Sequence, residues 1–168
     1  MYKIYNVLSN KDRKKLIKDI QPFLMTREEL NIYYNNDITY MGKQTDQMFH
    51  LIPEVAPVMK KIIDKIKEEF FLDLEVRRSW VKWSNGRDDQ IGMHHHYAFR
   101  DISFTGVYYL KTIPFFSSGT LFEDGFVRSP QNSMLIFAAP LLHSTPTNPF
   151  PFIDRYTVQF DLNYRNPE

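Results

Sequence analysis

The sequence predicts a mainly β fold, a sandwich or barrel of short strands, with helices confined to its N-terminal part. Three observations predict it. Near Leu72 the pattern changes from three- and four-residue hydrophobic steps to short alternating runs. Eight such runs, broken by turn signals, follow within about 90 residues, a spacing that suits a sandwich or barrel better than a parallel sheet alternating with helices. The last run, 155–163, has two sharply different faces. A length of 168 residues fits one domain, with 1–71 as its helical part and 72–168 as its β core.

Taken in order, Ser9 is placed to cap a helix running to about Gln21, with Leu16, Ile17 and Ile20 on one face. Residues 31–47 are rich in Asn and Tyr, and a short strand at 38–41 within a loop is the expectation there. Pro53 suits the first turn of a second helix and Glu54 its positive end. Val55, Met59, Ile62, Ile63, Ile66 and Phe70 then recur at helical steps, opposite Lys60, Lys61, Lys65 and Lys67. That helix packs an apolar stripe against something. The strands follow at 74–83, 90–96, 102–111, 119–122, 125–128, 133–138, 142–145 and 155–163. Asn85-Gly86, Asp124-Gly125 and Ser129-Pro130 punctuate them. In the last strand Tyr156, Val158, Phe160 and Leu162 alternate with Arg155, Thr157, Gln159 and Asp161. Helices over the apolar face would turn the polar face into the sandwich, which is costly unless it lines a ligand cavity or finds internal partners. A polar face open to water satisfies the same periodicity.

Composition narrows the function. Lys and Arg total 21 against 20 for Asp and Glu, so there is no basic footprint for nucleic acid and no polybasic membrane anchor. The absence of cysteine excludes disulfides, zinc–thiolate sites, Fe–S clusters and Cys nucleophiles. The segment 1–12 lacks an apolar secretory core, and no apolar run is long enough to span a bilayer. A soluble, cytoplasmic protein is the expectation. Any metal site must draw on His, Asp, Glu, Asn or Tyr.

Four of the five histidines are His94, His95, His96 and His143. On a strand, His94 and His96 share one face and His95 takes the other. Two imidazoles at fixed separation can bind one metal together, and imidazole suits Fe, Zn, Cu or Ni alike. His143 lies 47 positions after His96, far enough for another strand to return beside the first. A solvated histidine cluster is the alternative for the triplet, and a structural role the alternative for His143. His50 reads as structural. Arg155 follows His143 by 12 positions and opens the last strand. Its guanidinium fork matches a carboxylate two bonds at a time. It suits either an exchangeable diacid, with Thr157 adding a hydroxyl on the same face, or an internal pair with Asp154, Asp161 or another acid.

In order, these residues resemble the Fe(II)/2-oxoglutarate-dependent oxygenase superfamily, over about 80–164. Trp83-Ser84-Asn85-Gly86 comes first, then His94-His95-His96 in the place of an H-x-[D/E] pair, then Gly106-Val107-Tyr108-Tyr109-Leu110. Gly119-Thr120-Leu121-Phe122, Leu135-Ile136-Phe137, His143 and Arg155-Tyr156-Thr157 complete the series. The prolyl-hydroxylase-like branch has this order and similar spacing, and a group of small oxygenases with H-x-H looks closer still. The resemblance implies a double-stranded β-helix of the jelly-roll, cupin-like kind, with helices packed on its major sheet. It implies Fe(II) held by His94, His96 and His143, and 2-oxoglutarate clamped by Arg155 with help from Thr157 and Tyr109. Trp83 is a candidate for the pocket wall, while Tyr108 reads as core. The implied activity is hydroxylation of a peptide or small-molecule substrate. One departure stands out: His96 occupies a place where the family usually has Asp or Glu. Asp101 is the nearby acid that could substitute.

Three other functions fit the same residues. A three-His metal dioxygenase of the cupin type would explain His96 without 2-oxoglutarate and leave Arg155 unexplained. A non-catalytic binding module on the same fold, or a scaffold with a surface histidine patch, would bind no metal tightly. The short chain leaves little material for a lid, so a partner protomer in a homodimer could complete the pocket.

Overall fold

The structure is a computed structural model and describes residues 1–34, 42–70, 73–85, 91–96, 102–112, 118–146 and 152–165. Its elements are β1 (Tyr2–Tyr5), α1 (Asn10–Ile20), α2 (Arg27–Tyr34), β2 (Lys43–Gln44), α3 (Ala56–Phe70), β3 (Leu74–Ser84), β4 (Ile91–His94), β5 (Phe104–Lys111), β6 (Gly119–Phe122), β7 (Gly125–Arg128), β8 (Ser133–Ala138), β9 (His143–Thr145) and β10 (Arg155–Tyr164). Short 3-10 turns stand at Gln21–Phe23 and Phe49–Leu51. The strands form a major sheet in the order β1-β8-β5-β10-β3-β2 and a minor sheet in the order β4-β9-β6-β7. Neighbouring strands within both sheets run antiparallel. Among the described residues no helix is long and apolar enough to cross a membrane.

Local chemistry explains the helices. Ser9 Oγ accepts from the Asp12 N–H at 3.0 Å, capping α1 as expected. Thr26 and Glu29 make a reciprocal capping box that starts α2, Thr26 N–H to Glu29 Oε2 at 2.6 Å and Glu29 N–H to Thr26 Oγ1 at 3.3 Å. This helix, like β1 and β2, is not among the elements expected from the sequence. α3 begins at Ala56 rather than Pro53. Pro53 and Glu54 form a turn in which the Val55 and Ala56 N–H groups bond back to Ile52 O. The strand expected at 38–41 lies outside the described residues, as do Gln90 and the Gly86 turn position.

The major sheet is buried on both faces. Tyr156, Val158, Phe160 and Leu162 of β10 join Leu16 and Ile20 of α1 and Met59, Ile62 and Ile66 of α3 in the larger apolar core. A second core lies between the sheets, where Phe122 of the minor sheet meets Val107, Tyr109, Leu135 and Phe137 of the major one. The polar face of β10 therefore points into the sandwich. Arg155, Thr157 and Gln159 are each 6% exposed and Asp161 0%. That leaves a buried polar lining to be accounted for.

Candidate metal centre

The minor sheet brings distant histidines together. β4 pairs antiparallel with β9, and the register sets His94 directly opposite His143. β4 ends at His94, so strand alternation alone does not place His96. Its backbone N–H bonds to Ala139 O at 3.0 Å, just beyond β8, and its side chain is buried. His95 is exposed. Ring centroids lie 4.4 Å apart for His94 and His143, 5.3 Å for His94 and His96, and 5.2 Å for His96 and His143. One ligand atom from each lies within 4.8 Å of the others.

Hydrogen bonding selects one tautomer for all three rings. His94 Nδ1 is 2.9 Å from Gly92 O, and His143 Nδ1 is 2.9 Å from Leu141 O. His96 Nδ1 is 2.5 Å from Asp161 Oδ1. Each partner can only accept, so each Nδ1 carries a proton, which leaves Nε2 as the atom that would meet a metal. Burial pushes His143 down to about 3 and His94 to about 4, so both are neutral near pH 7. Neutral rings with Nε2 lone pairs fit a divalent transition metal, which needs deprotonated ligands. Trp80 stacks on His96 with centroids 5.8 Å apart, and Phe137 packs its edge on His143 at 4.7 Å.

Beside the histidines, on the same inner face, lies a pocket lined by Val107, Tyr109, Gly119, Thr120, Thr145, Arg155, Thr157 and Gln159. Thr145 stands two residues from His143 on β9, which joins the pocket to the histidines. Arg155 donates from Nε to Ser84 Oγ at 3.1 Å and from Nη1 to Pro146 O at 3.0 Å. Gln159 Nε2 donates to Thr157 Oγ1 at 2.8 Å, and Tyr109 Oη shares a 2.5 Å bond with Thr120 Oγ1. Burial pushes the Tyr109 phenol up to about 12, so it is neutral and able to donate. Gln159 Oε1 is buried with no hydrogen-bond partner among the described residues. Hydroxyls, an amide and a guanidinium around an apolar wall are a donor set for a carboxylate. Lys82 faces the same interior. Burial, with Arg155 beside it, pulls its amine down to about 7 against the opposing pull of Asp161.

The sequence expectations sort against this geometry. His94, His96 and His143 come together, and Arg155, Thr157 and Tyr109 line one pocket. Trp83 does not reach it. Beyond the register shift in β3, Val81 and Trp83 face the helical core, and Trp83 lies beside Lys43 and donates to Asp154 Oδ1 at 3.1 Å. Trp80, three residues earlier, is the tryptophan at the site, stacked on His96. Tyr108 is core, with its hydroxyl on Asn132 Oδ1. His50 stands apart with its ring on Ser79 Oγ at 3.0 Å. Of the acids weighed as partners of Arg155, Asp154 bonds Trp83 and Lys111, and Asp161 bonds Arg78 and His96. Asp101 lies outside the described residues. Trp80, Lys82 and Asp161 were not anticipated as site residues. The alternation that put Arg155 and Thr157 on the inner face also carries Asp161, and was the available signal for it.

Comparison with known proteins decides the fold. A viral collagen prolyl hydroxylase from Paramecium Bursaria Chlorella virus-1, solved with 2-oxoglutarate, superposes with a TM-score of 0.66 at 16% identity, covering 98% of this chain and 96% of that one. The fold is that of the Fe(II)/2-oxoglutarate oxygenases, the double-stranded β-helix. A Trichoplax adhaerens prolyl hydroxylase, in complex with a hypoxia inducible factor peptide fragment, gives 0.63 at 15% identity, covering 97% and 82%. HygX from Streptomyces hygroscopicus, with nickel, 2-oxoglutarate and hygromycin B bound, gives 0.66 at 8% identity, covering 98% and 82%. No protein-family model matches the sequence, and no curated protein matches it. At these identities the oxygenase fold is shared while the site is this chain's own.

Proposed function

We propose that the protein is an Fe(II)/2-oxoglutarate-dependent dioxygenase that hydroxylates a peptide or small-molecule substrate. The observation that carries this is one continuous inner face. It presents three imidazoles, each with its Nδ1 proton engaged, and, next to them, a buried arginine among hydroxyl donors. His94, His96 and His143 would hold the metal through Nε2. Arg155 would take the distal carboxylate of 2-oxoglutarate by its fork, with Thr157 and Tyr109 completing the contacts. Bound iron with 2-oxoglutarate supplies oxidative decarboxylation coupled to hydroxylation of a C–H bond. The chain's own part is to orient the diacid, hold the three rings with Nε2 facing the metal and exclude water behind Trp80 and Phe137. Both substrate classes occur on this fold, a peptide with the Trichoplax enzyme and hygromycin B with HygX.

The test is succinate formation from 2-oxoglutarate by the full chain with Fe(II) and O₂. Wild type should form succinate, and Arg155→Ala should form at least tenfold less at limiting 2-oxoglutarate. Failure of metal-loaded wild type to form succinate overturns the assignment. His96, standing where an acid is usual, favours one second reading, a three-His dioxygenase that does not use 2-oxoglutarate. That enzyme would consume O₂ with a substrate of its own and be indifferent to 2-oxoglutarate.

A further inference from the structure

We propose that Asp161 is a positioning residue for the metal centre, supplying from behind His96 the negative charge that a carboxylate ligand would have brought directly. This rests on the reading above that the three histidines hold a metal. The three rings are not treated alike. His94 and His143 give their Nδ1 protons to neutral backbone carbonyls. His96 alone gives its proton to a carboxylate, at 2.5 Å. It is also the residue that stands in the acid's place in the His94-His95-His96 run.

The carboxylate is held firmly enough to act on the ring. Asp161 is 0% exposed. It lies opposite Arg78 in the pairing of β10 with β3, immediately before a register shift at Asp161/Leu162. Arg78 donates to its Oδ2 from Nε at 2.9 Å and from Nη2 at 2.5 Å. With Oδ2 gripped from β3, Oδ1 is presented to His96. Trp80, two residues along β3 from Arg78, stacks on the imidazole at an interplanar angle of 15°. The ring is thus fixed in rotation by the hydrogen bond, in tilt by the indole and in position by its backbone bond to Ala139. A charge-assisted bond of this kind strengthens the donor ring as a ligand. Carboxylate partners behind metal-bound histidines are commonly worth 10- to 100-fold in metal affinity.

The probe is Co(II), titrated anaerobically into the full chain and followed by its visible absorption. Asp161→Asn keeps the side chain's shape and an acceptor for His96 while removing the charge. We expect it to weaken Co(II) binding about 10- to 100-fold relative to wild type. The His96 Nδ1 proton provides the signature that a purely structural role would not give. In Zn(II)-loaded wild type its resonance should lie downfield of those of His94 and His143, and it alone should move upfield in Asp161→Asn. Binding within twofold of wild type with all three resonances unmoved overturns the proposal. If Asp161→Asn does not fold, the metal-free wild type still decides. Long-range ¹⁵N correlations must show His96 protonated at Nδ1, and the Nε2–H tautomer overturns the proposal. A wild type that binds no Co(II) removes the metal reading itself, whereas an indifferent Asp161→Asn beside a binding wild type removes only this inference.

Discussion

Replacing Arg155 by methionine should separate ligand binding from folding. Arg155 is 6% exposed, so whatever anion it takes is bound largely out of water. Two charge-assisted hydrogen bonds to a carboxylate are worth roughly 1.5–3 kcal/mol each. Truncating one member of such a buried pair costs about 2–5 kcal/mol. Taking about 3–4 kcal/mol, and one decade per 1.4 kcal/mol, 2-oxoglutarate should bind roughly 100- to 1,000-fold more weakly. Folding should respond differently. Methionine fills much of the volume, and removing a buried cation offsets the loss of donors to Ser84 Oγ and Pro146 O. The metal-free thermal midpoint should therefore change little. Calorimetric titration of 2-oxoglutarate into the Mn(II)-loaded protein without O₂ reads the first effect, and thermal unfolding reads the second. Arg155→Lys, which keeps the charge and loses the fork, should fall between wild type and the methionine variant. Affinity within threefold of wild type in Arg155→Met would refute the reasoning, as would a loss of affinity that tracks a loss of fold.

Two further outcomes follow from the same interior. A Cβ at Gly119 would run into the backbone oxygen of Val127 and come within 2.7 Å of Phe126 Cζ, so Gly119→Ala must distort the β6–β7 hairpin. It should cost about 1–3 kcal/mol of stability and weaken 2-oxoglutarate binding through Thr120, as read by chemical denaturation and by the same titration. The second outcome concerns pH. His143, held at about 3 by burial, is neutral in the fold well below the ordinary histidine range. Its folded pKa is depressed, so the unfolded chain takes up the proton first as pH falls. Stability is then full above about 6.5 and lost as pH drops toward 3. In His143→Gln, metal-free, the plot of stability against pH should be shallower by about 1.4 kcal/mol per pH unit between about 6 and 4. Parallel slopes for the two proteins would contradict the burial argument.

The parts of the molecule that were legible in the sequence are those set by local period. The alternation of β10 put Tyr156, Val158, Phe160 and Leu162 under the helices and Arg155, Thr157, Gln159 and Asp161 inside. Hydrophobic spacing found α1 and α3 to within three residues. His143 needed only that a strand return beside the triplet, and β9 does so with His143 opposite His94. What escaped notice was either short or set by long-range pairing. β1 and β2 are held by partners far along the chain, β8 and β3. α2 carries a capping box at Thr26 and Glu29, a readable signal within an Asn- and Tyr-rich stretch that otherwise obscures it. Trp80 and Trp83 could not be sorted by composition, because which of them faces inward depends on the register of β3 against β10. Asp161 reaches His96 across 65 positions, which no local spacing reports.

The measurement that bears most directly on the central claim is anaerobic addition of Fe(II) and 2-oxoglutarate to the metal-free protein. A keto acid bound to iron at the three-histidine site should give a visible metal-to-ligand charge-transfer band, saturating at one iron per chain and lost in His143→Ala. A folded protein that takes up one iron per chain at His94, His96 and His143 but develops no such band with excess 2-oxoglutarate would contradict the account.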